Sequence, residues 1–70
     1  MTWVEALALN GWNIDSSCAS CGGRQTYKNV TKPTMKLVVQ INSQTFAVYK
    51  ENYCIKAEPL IELPKYITTL

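Results

Sequence analysis

The stretch that decides the fold is MKLVVQINSQTFAVYK, residues 35–50. Apolar residues recur in it at every second position, which is typical of half-buried strands. The alternating positions are Met35, Leu37, Val39, Ile41, Phe46 and Val48. Asn42-Ser43-Gln44 between the two runs is turn-like. The pattern therefore predicts an antiparallel hairpin with strands at residues 35–41 and 45–50.

Weaker strand candidates flank this hairpin at residues 25–30 and 53–57, and with them it becomes a meander of three or four strands. Tyr49 falls on the face opposite Phe46 and Val48, so an outer face carrying Val38, Ala47 and Tyr49 is expected. Aromatic residues are enriched where proteins associate, which makes that face a candidate contact surface. Helices on both faces are the alternative.

The remaining segments are predicted from caps and turn residues. Thr2 followed by Glu5 is a capping-box signature, and Asn10-Gly11 is a helix end, so a helix is expected at about residues 3–9. Residues 13–25 are rich in Asn, Ser, Cys and Gly and predict an irregular loop. Pro64 suits the first turn of a short C-terminal helix that runs through Thr69.

A chain of 70 residues has room for one domain, residues 1–70. The predicted class is α+β: an antiparallel meander, an N-terminal helix, a short C-terminal helix and a knuckle-like loop. The expected core consists of Trp3, Leu7, Trp12, Leu37, Val39, Ile41, Phe46, Val48, Ile55 and Leu63. Because a core of this size rarely supplies more than about 3–5 kcal/mol, a metal, a disulfide or a partner is expected to add stability.

One motif stands out, Cys18-Ala19-Ser20-Cys21-Gly22-Gly23. Two cysteines at this spacing, followed by glycine, match half of a zinc-ribbon knuckle. Tetrahedral zinc needs four ligands, so Cys54 is the candidate third ligand, and Asp15, another carboxylate or a symmetric partner would complete the site. Three other interpretations stay open: a knuckle without metal, thiol–disulfide exchange, and a Cys54 that is simply buried.

Charge and composition exclude several classes of function. The seven Lys and Arg residues are spread singly, whereas nucleic-acid binding favours a cluster, so nucleic acid is weakly supported as a partner. The chain has no histidine, no paired carboxylates and no glycine-rich phosphate loop, which predicts a protein that is not an enzyme. No apolar run fits a membrane span or a secretory signal, so we expect synthesis in the cytoplasm and no membrane partner.

The order of these features resembles small uncharacterised proteins encoded by bacteriophages and mobile elements of gut bacteria. The features that carry the resemblance are the tryptophan-bearing helix, Asn10-Gly11-Trp12, Cys18-x-x-Cys21-Gly22-Gly23, Tyr27-Lys28-Asn29 and the hairpin. They span most of the chain, and the cysteine motif is the specific one. The resemblance implies a minor virion or accessory component, and therefore assembly rather than catalysis.

Three functional hypotheses follow. The first is a non-enzymatic structural or interaction protein, a phage virion or accessory subunit that docks on a larger assembly. The second is a zinc-knuckle module that binds nucleic acid or protein, in which Cys18, Cys21 and Cys54 hold the metal while Arg24 and Lys28 face the ligand. The third is a thiol redox protein. Tyr49 joins Arg24 and Lys28 as a candidate binding residue because of its place on the outer face.

Overall fold

The computed structural model describes residues 2–70 and confirms the α+β class. Five strands form one antiparallel sheet in sequence order. They are β1 (Trp12–Cys18), β2 (Arg24–Asn29), β3 (Met35–Gln40), β4 (Thr45–Lys50) and β5 (Tyr53–Pro59). The meander therefore has five strands in place of the expected three or four.

The additional strand is β1, and the loop predicted at residues 13–25 is wrong over its first half. Antiparallel pairing with β2 satisfies the backbone groups on one side of β1, whose residues 13–17 are all exposed. The register shifts between Ile14 and Ser16, so Asp15 is an extra residue in a β-bulge. A bulge interrupts the period of two, and β1 is mostly polar, so the sequence pattern gave no strand signal there.

The N-terminal helix, α1, occupies Trp3–Leu9 as predicted, and its capping box is present. The Glu5 backbone N–H donates to Thr2 Oγ1 at 3.2 Å, and the Thr2 backbone N–H donates to Glu5 Oε1 at 3.0 Å. The hydrogen bond from the Thr2 backbone, with a second from its side chain, lowers the pKa of Glu5 from its ordinary value. The cap thus prefers an ionised Glu5.

The C-terminal segment is a chain of short turns around a second helix, α2, at Leu63–Tyr66. Turns of 3₁₀ helix precede it at Leu60–Glu62 and follow it at Ile67–Thr69. Pro64 lies in the first turn of α2, as expected. Neither α1 nor α2, nor any other helical segment of residues 2–70, has the length and hydrophobicity of a membrane-spanning helix.

Both helical segments pack on the same face of the sheet, and the core lies between them and the strands. Its buried apolar residues are Ala6, Leu7, Trp12, Leu37, Val39, Phe46, Val48, Leu60, Leu63 and Ile67. Trp3 and Ile41 are partly buried against this core. Ile55, which we expected in the core, is 52% exposed because it is the unpaired residue at a bulge of β5.

Candidate functional site

The side of the sheet that faces away from the helices, which we call the open face, is not covered by any element of residues 2–70. Its side chains alternate with the buried ones of β3 and β4, and the strand register arranges them in three rows across the sheet. The first row is Asn13, Lys28, Lys36, Tyr49 and Cys54. The middle row is Ser16, Thr26, Val38, Ala47 and Ala57. The third row is Cys18, Arg24, Gln40, Thr45 and Pro59.

The open face is positively charged. Its rows contain Arg24, Lys28 and Lys36 and no carboxylate. Lys28 lies directly opposite Lys36 on the neighbouring strand, an arrangement of like charges that destabilises a sheet. Asp15 offsets part of this repulsion through an ion pair with Lys28 at 3.1 Å, but both side chains are largely exposed, so the pair is worth at most about 1 kcal/mol.

The centre of the open face is apolar and concave. Val38, Ala47 and Tyr49 are half-buried there although no helix covers them. A groove of about 700 Å³ runs over β2, β3 and β4, and its floor includes Arg24 and Lys36 beside Val38 and Tyr49. A second groove of about 410 Å³ continues towards β5 and shares Val38 and Tyr49 with the first. The face thus combines an apolar floor with cations at its β2–β3 side.

The two edges of the sheet are protected against strand addition. The edge strand β1 has its bulge at Asp15, and the edge strand β5 has one at Ile55 and ends in Pro59. Lys56 of β5 points to the covered side, where its Nζ lies 4.0 Å from the centre of the Tyr66 ring. Bulges, proline and inward-pointing charges are devices that discourage edge-to-edge pairing. Both edges of the sheet are therefore poorly suited to the addition of another strand.

The cysteine motif forms the tip of the β1–β2 hairpin, and Cys18 and Cys21 are joined there by a disulfide across a 3₁₀ turn. Gly22 and Gly23 have φ values of 78° and 71°, which favour glycine. The Ile41 backbone N–H donates to the Gly23 carbonyl at 3.2 Å. A Cβ at Gly23 would lie 3.0 Å from the Ile41 Cβ. The two glycines therefore let the hairpin tip dock on the β3–β4 turn.

The three cysteines are not brought together. Cys54 lies on β5, four strands away from Cys18 on β1, which corresponds to about 19 Å at the usual strand spacing. Cys54 is exposed and its Sγ is 3.6 Å from the Lys56 carbonyl oxygen. Within residues 2–70, no three Cys, Asp or Glu side chains are arranged to hold a metal ion. A zinc site at the hairpin tip would need reduced thiolates and ligands from a second molecule, and zinc stays a prediction.

The candidate binding residues, in contrast, share one surface. Arg24 and Lys28 lie on β2 and Tyr49 lies on β4, all on the open face. Sequence reasoning missed Lys36, which stands between Lys28 and Tyr49 in the first row; its alternation with Leu37 was the signal that assigned it to this face. In comparisons with known proteins, no family model, curated protein or solved structure matches the chain.

Tyr27, on the covered side of the sheet, differs in its surroundings from Tyr49 on the open face. Burial raises the pKa of its phenol, and its hydroxyl donates to Gln25 Oε1 at 2.8 Å. Tyr27 packs against the core, whereas Tyr49 lines the open groove. Of these two tyrosines, Tyr49 is the one that a ligand on the open face would contact.

Proposed function

We propose that this chain is a non-enzymatic interaction protein whose open face docks on a partner protein in a larger assembly. The observation that carries the proposal is that both helical segments cover the same side of the sheet. Val38, Ala47 and Tyr49 are left as a half-buried apolar floor without a covering element among residues 2–70. A five-stranded face of this kind gains stability when a partner removes it from water.

The anatomy of the open face supports a protein partner. Protein interfaces have an apolar centre with aromatic residues and a polar, charged rim. Here Val38 and Ala47 form the centre beside Tyr49, while Arg24 and Lys36 lie towards one side. The small core gives a second reason, because a domain of 70 residues gains a large fraction of its own stability from one docked partner.

The assembly that we propose is a bacteriophage virion or a related accessory complex. This part of the proposal is supported by the resemblance of the cysteine motif and its flanking segments to small phage-encoded proteins. Apart from Cys18, at the end of the third row, the proposed interaction surface does not include the motif, since Gly22 and Gly23 are engaged with the β3–β4 turn. The motif thus contributes a rigid hairpin tip, and the open face contributes the contact.

The zinc-module and thiol-redox hypotheses both concern the hairpin tip. For zinc, no third ligand lies beside Cys18 and Cys21 in the part of the chain that the structure describes. For redox exchange, the Cys18–Cys21 disulfide is the oxidised form that such chemistry starts from, but it is followed by β2 rather than by an α-helix that would stabilise a thiolate. Both hypotheses stay predictions beside the favoured one.

Site-specific photo-crosslinking in the native host tests the proposal. A photoreactive amino acid replaces Ala47 at the centre of the open face, and a matched variant carries it at Ala8, an exposed alanine of α1. We expect a discrete protein adduct from position 47 and none from position 8. Absence of a protein adduct at position 47, together with a monomeric chain in the same extract, contradicts the proposal.

A further inference from the structure

The distribution of charge indicates which kind of partner fits the open face, an inference that rests on the proposed function. We infer that the face binds an extended acidic segment of a partner protein, with two carboxylates flanking an apolar residue. The carboxylates would meet the cations of the first and third rows. The apolar residue would lie between them, over Val38 in the middle row.

The net charge is only +2, but the charged residues are distributed unevenly between the two sides of the sheet. Three of the five carboxylates belong to the helical side: Glu5 on α1, Glu62 before α2, and Glu58, which pairs with Phe46 on the covered face. The rows of the open face contain three cations and no carboxylate. Of the other two carboxylates, Asp15 in the β1 bulge pairs with Lys28, and Glu51 in the β4–β5 turn lines the first groove. Arg24 and Lys36 have no ion-pair partner among residues 2–70. The open face is therefore complementary to an anionic ligand.

The positions of the cations set the spacing of the ligand. Lys28 and Arg24 are four residues apart on β2, which is about 14 Å in an extended strand. Lys36 reinforces the Lys28 end, and Val38 lies on β3 midway along this span. An extended segment with carboxylates four residues apart and an apolar residue midway matches the three rows. A binding carboxylate would also relieve the repulsion between Lys28 and Lys36.

The size of the open face favours a segment over a second copy of the chain. Five strands and three rows span about 19 Å by about 14 Å, which is an area of about 270 Å². A stable interface between globular proteins needs about 800 Å² from each partner. Two copies placed face to face would also bring six cations together without a carboxylate from either set of rows.

A nucleic acid fits the open face less well. Proteins that bind single strands combine a cationic track with several aromatic side chains on which bases stack. The rows offer one aromatic side chain, Tyr49, and a middle row without charge. A mixture of apolar floor and few cations matches an acidic peptide better.

The test is a titration of the isotope-labelled full chain followed by amide chemical shifts. The probe is a capped peptide in which two glutamates flank a central valine, each glutamate two residues from it. The comparison probes are the same peptide with lysine in place of glutamate, and a short oligothymidylate. We expect the acidic peptide to shift the amides of Arg24, Lys36, Val38 and Tyr49, and the lysine peptide to leave them unchanged.

Two charge-reversal variants distinguish an effect at the open face from an effect of the net charge of the protein. Lys36→Glu changes a cation of the first row, and Lys65→Glu makes the same change on α2, on the other side of the molecule. We expect Lys36→Glu to weaken the binding of the acidic peptide about three- to tenfold, because an exposed attraction becomes a repulsion. Lys65→Glu should change the affinity less than about twofold. Lys36→Gln, with an intermediate loss, guards against a folding defect in Lys36→Glu.

Several outcomes overturn the inference: no shift with the acidic peptide, equal effects of the two reversals, or oligothymidylate acting on the open face in place of the peptide. Failure here is distinct from failure of the proposed function. A protein adduct from position 47 without any binding of the acidic peptide would leave the docking proposal in place and remove only the acidic segment. If position 47 yields no protein adduct and the chain is monomeric in the same extract, the docking proposal itself is wrong.

Discussion

The two faces of the sheet are formed by alternate residues of the same strands, yet the helical segments cover only one of them. On β3, Leu37 and Val39 are fully buried beneath the helices, while Lys36 and Val38 project to the uncovered side. The covered face holds the fold together through apolar burial. The open face contributes little to that core and carries the cations. The difference separates residues that maintain the structure from residues available for a partner.

The largest effect expected from this comparison is at neighbouring positions of β3. Leu37→Ala should lower the free energy of unfolding by about 2–5 kcal/mol, because it leaves a cavity among fully buried side chains. Val38→Ala, one residue along, should cost less than about 1 kcal/mol, since its side chain is only half-buried. Urea unfolding of both variants gives the comparison.

The matched pair keeps this prediction open to contradiction even if Leu37→Ala is too unstable to fold. In that case Val38→Ala alone must retain the slope of the parent chain and lose less than about 1 kcal/mol of its free energy of unfolding. Similar losses at Leu37 and Val38 would mean that the second face is also covered, for example by self-association. Repeating the unfolding at several protein concentrations would detect such an assembly.

The parts of the fold that could be predicted are those in which local pattern and tertiary context agree. The alternation in residues 35–50 assigned both strands of the central hairpin, and Thr2 with Glu5 located α1. β1 was missed because a bulge and its polar composition removed the period of two. A bulge also explains the wrong prediction for Ile55. Its apolar side chain suggests a core position, but the bulge that exposes it has no signal in the sequence.

The candidate site was predictable only in part, because rows across a sheet depend on the register of neighbouring strands. The alternation of β4 placed Tyr49 on the outer face, and the structure has it there. The pairing of Lys28 with Lys36 requires the β2–β3 register, which the turn between those strands did not specify. Likewise, nothing in the spacing of the cysteines shows that Cys54 lies at the opposite edge from Cys18.

A smaller effect is expected at the one buried polar side chain of the described residues, Asn29. Its Nδ2 donates to the Asn10 carbonyl at 2.8 Å, and its Oδ1 accepts from the Thr31 backbone N–H at 3.0 Å. Asn29 thus ties the end of α1 to the end of β2. Asn29→Ala should cost about 1–3 kcal/mol, because it removes these two partly buried hydrogen bonds.

The matched control for Asn29→Ala is Asn42→Ala, at an exposed asparagine of the β3–β4 turn. We expect the control to lie within about 0.5 kcal/mol of the parent chain in the same urea series. Equal losses at the two asparagines would show that turn propensity, rather than the buried hydrogen bonds, explains the effect. If Asn29→Ala leaves the free energy of unfolding unchanged, the hydrogen bonds of the Asn29 side chain do not contribute to stability.

The smallest effect concerns the helix that covers the sheet and depends on pH. The Thr2 hydrogen bonds lower the pKa of Glu5 in the folded chain below its value of 4.5 in an unfolded one. The ionised carboxylate therefore stabilises the fold above the unfolded pKa, and this contribution disappears as the pH falls through the folded pKa.

Glu5→Gln keeps a side chain that can complete a capping box but removes the titration. Thermal melts of both proteins between about pH 7 and about pH 2 should show the parent chain more stable at neutral pH, with a difference that shrinks on acidification. A difference that stays constant or grows towards low pH would mean that the carboxylate is not held by the cap, and that α1 is kept on the covered face by Ala6 and Leu7 alone.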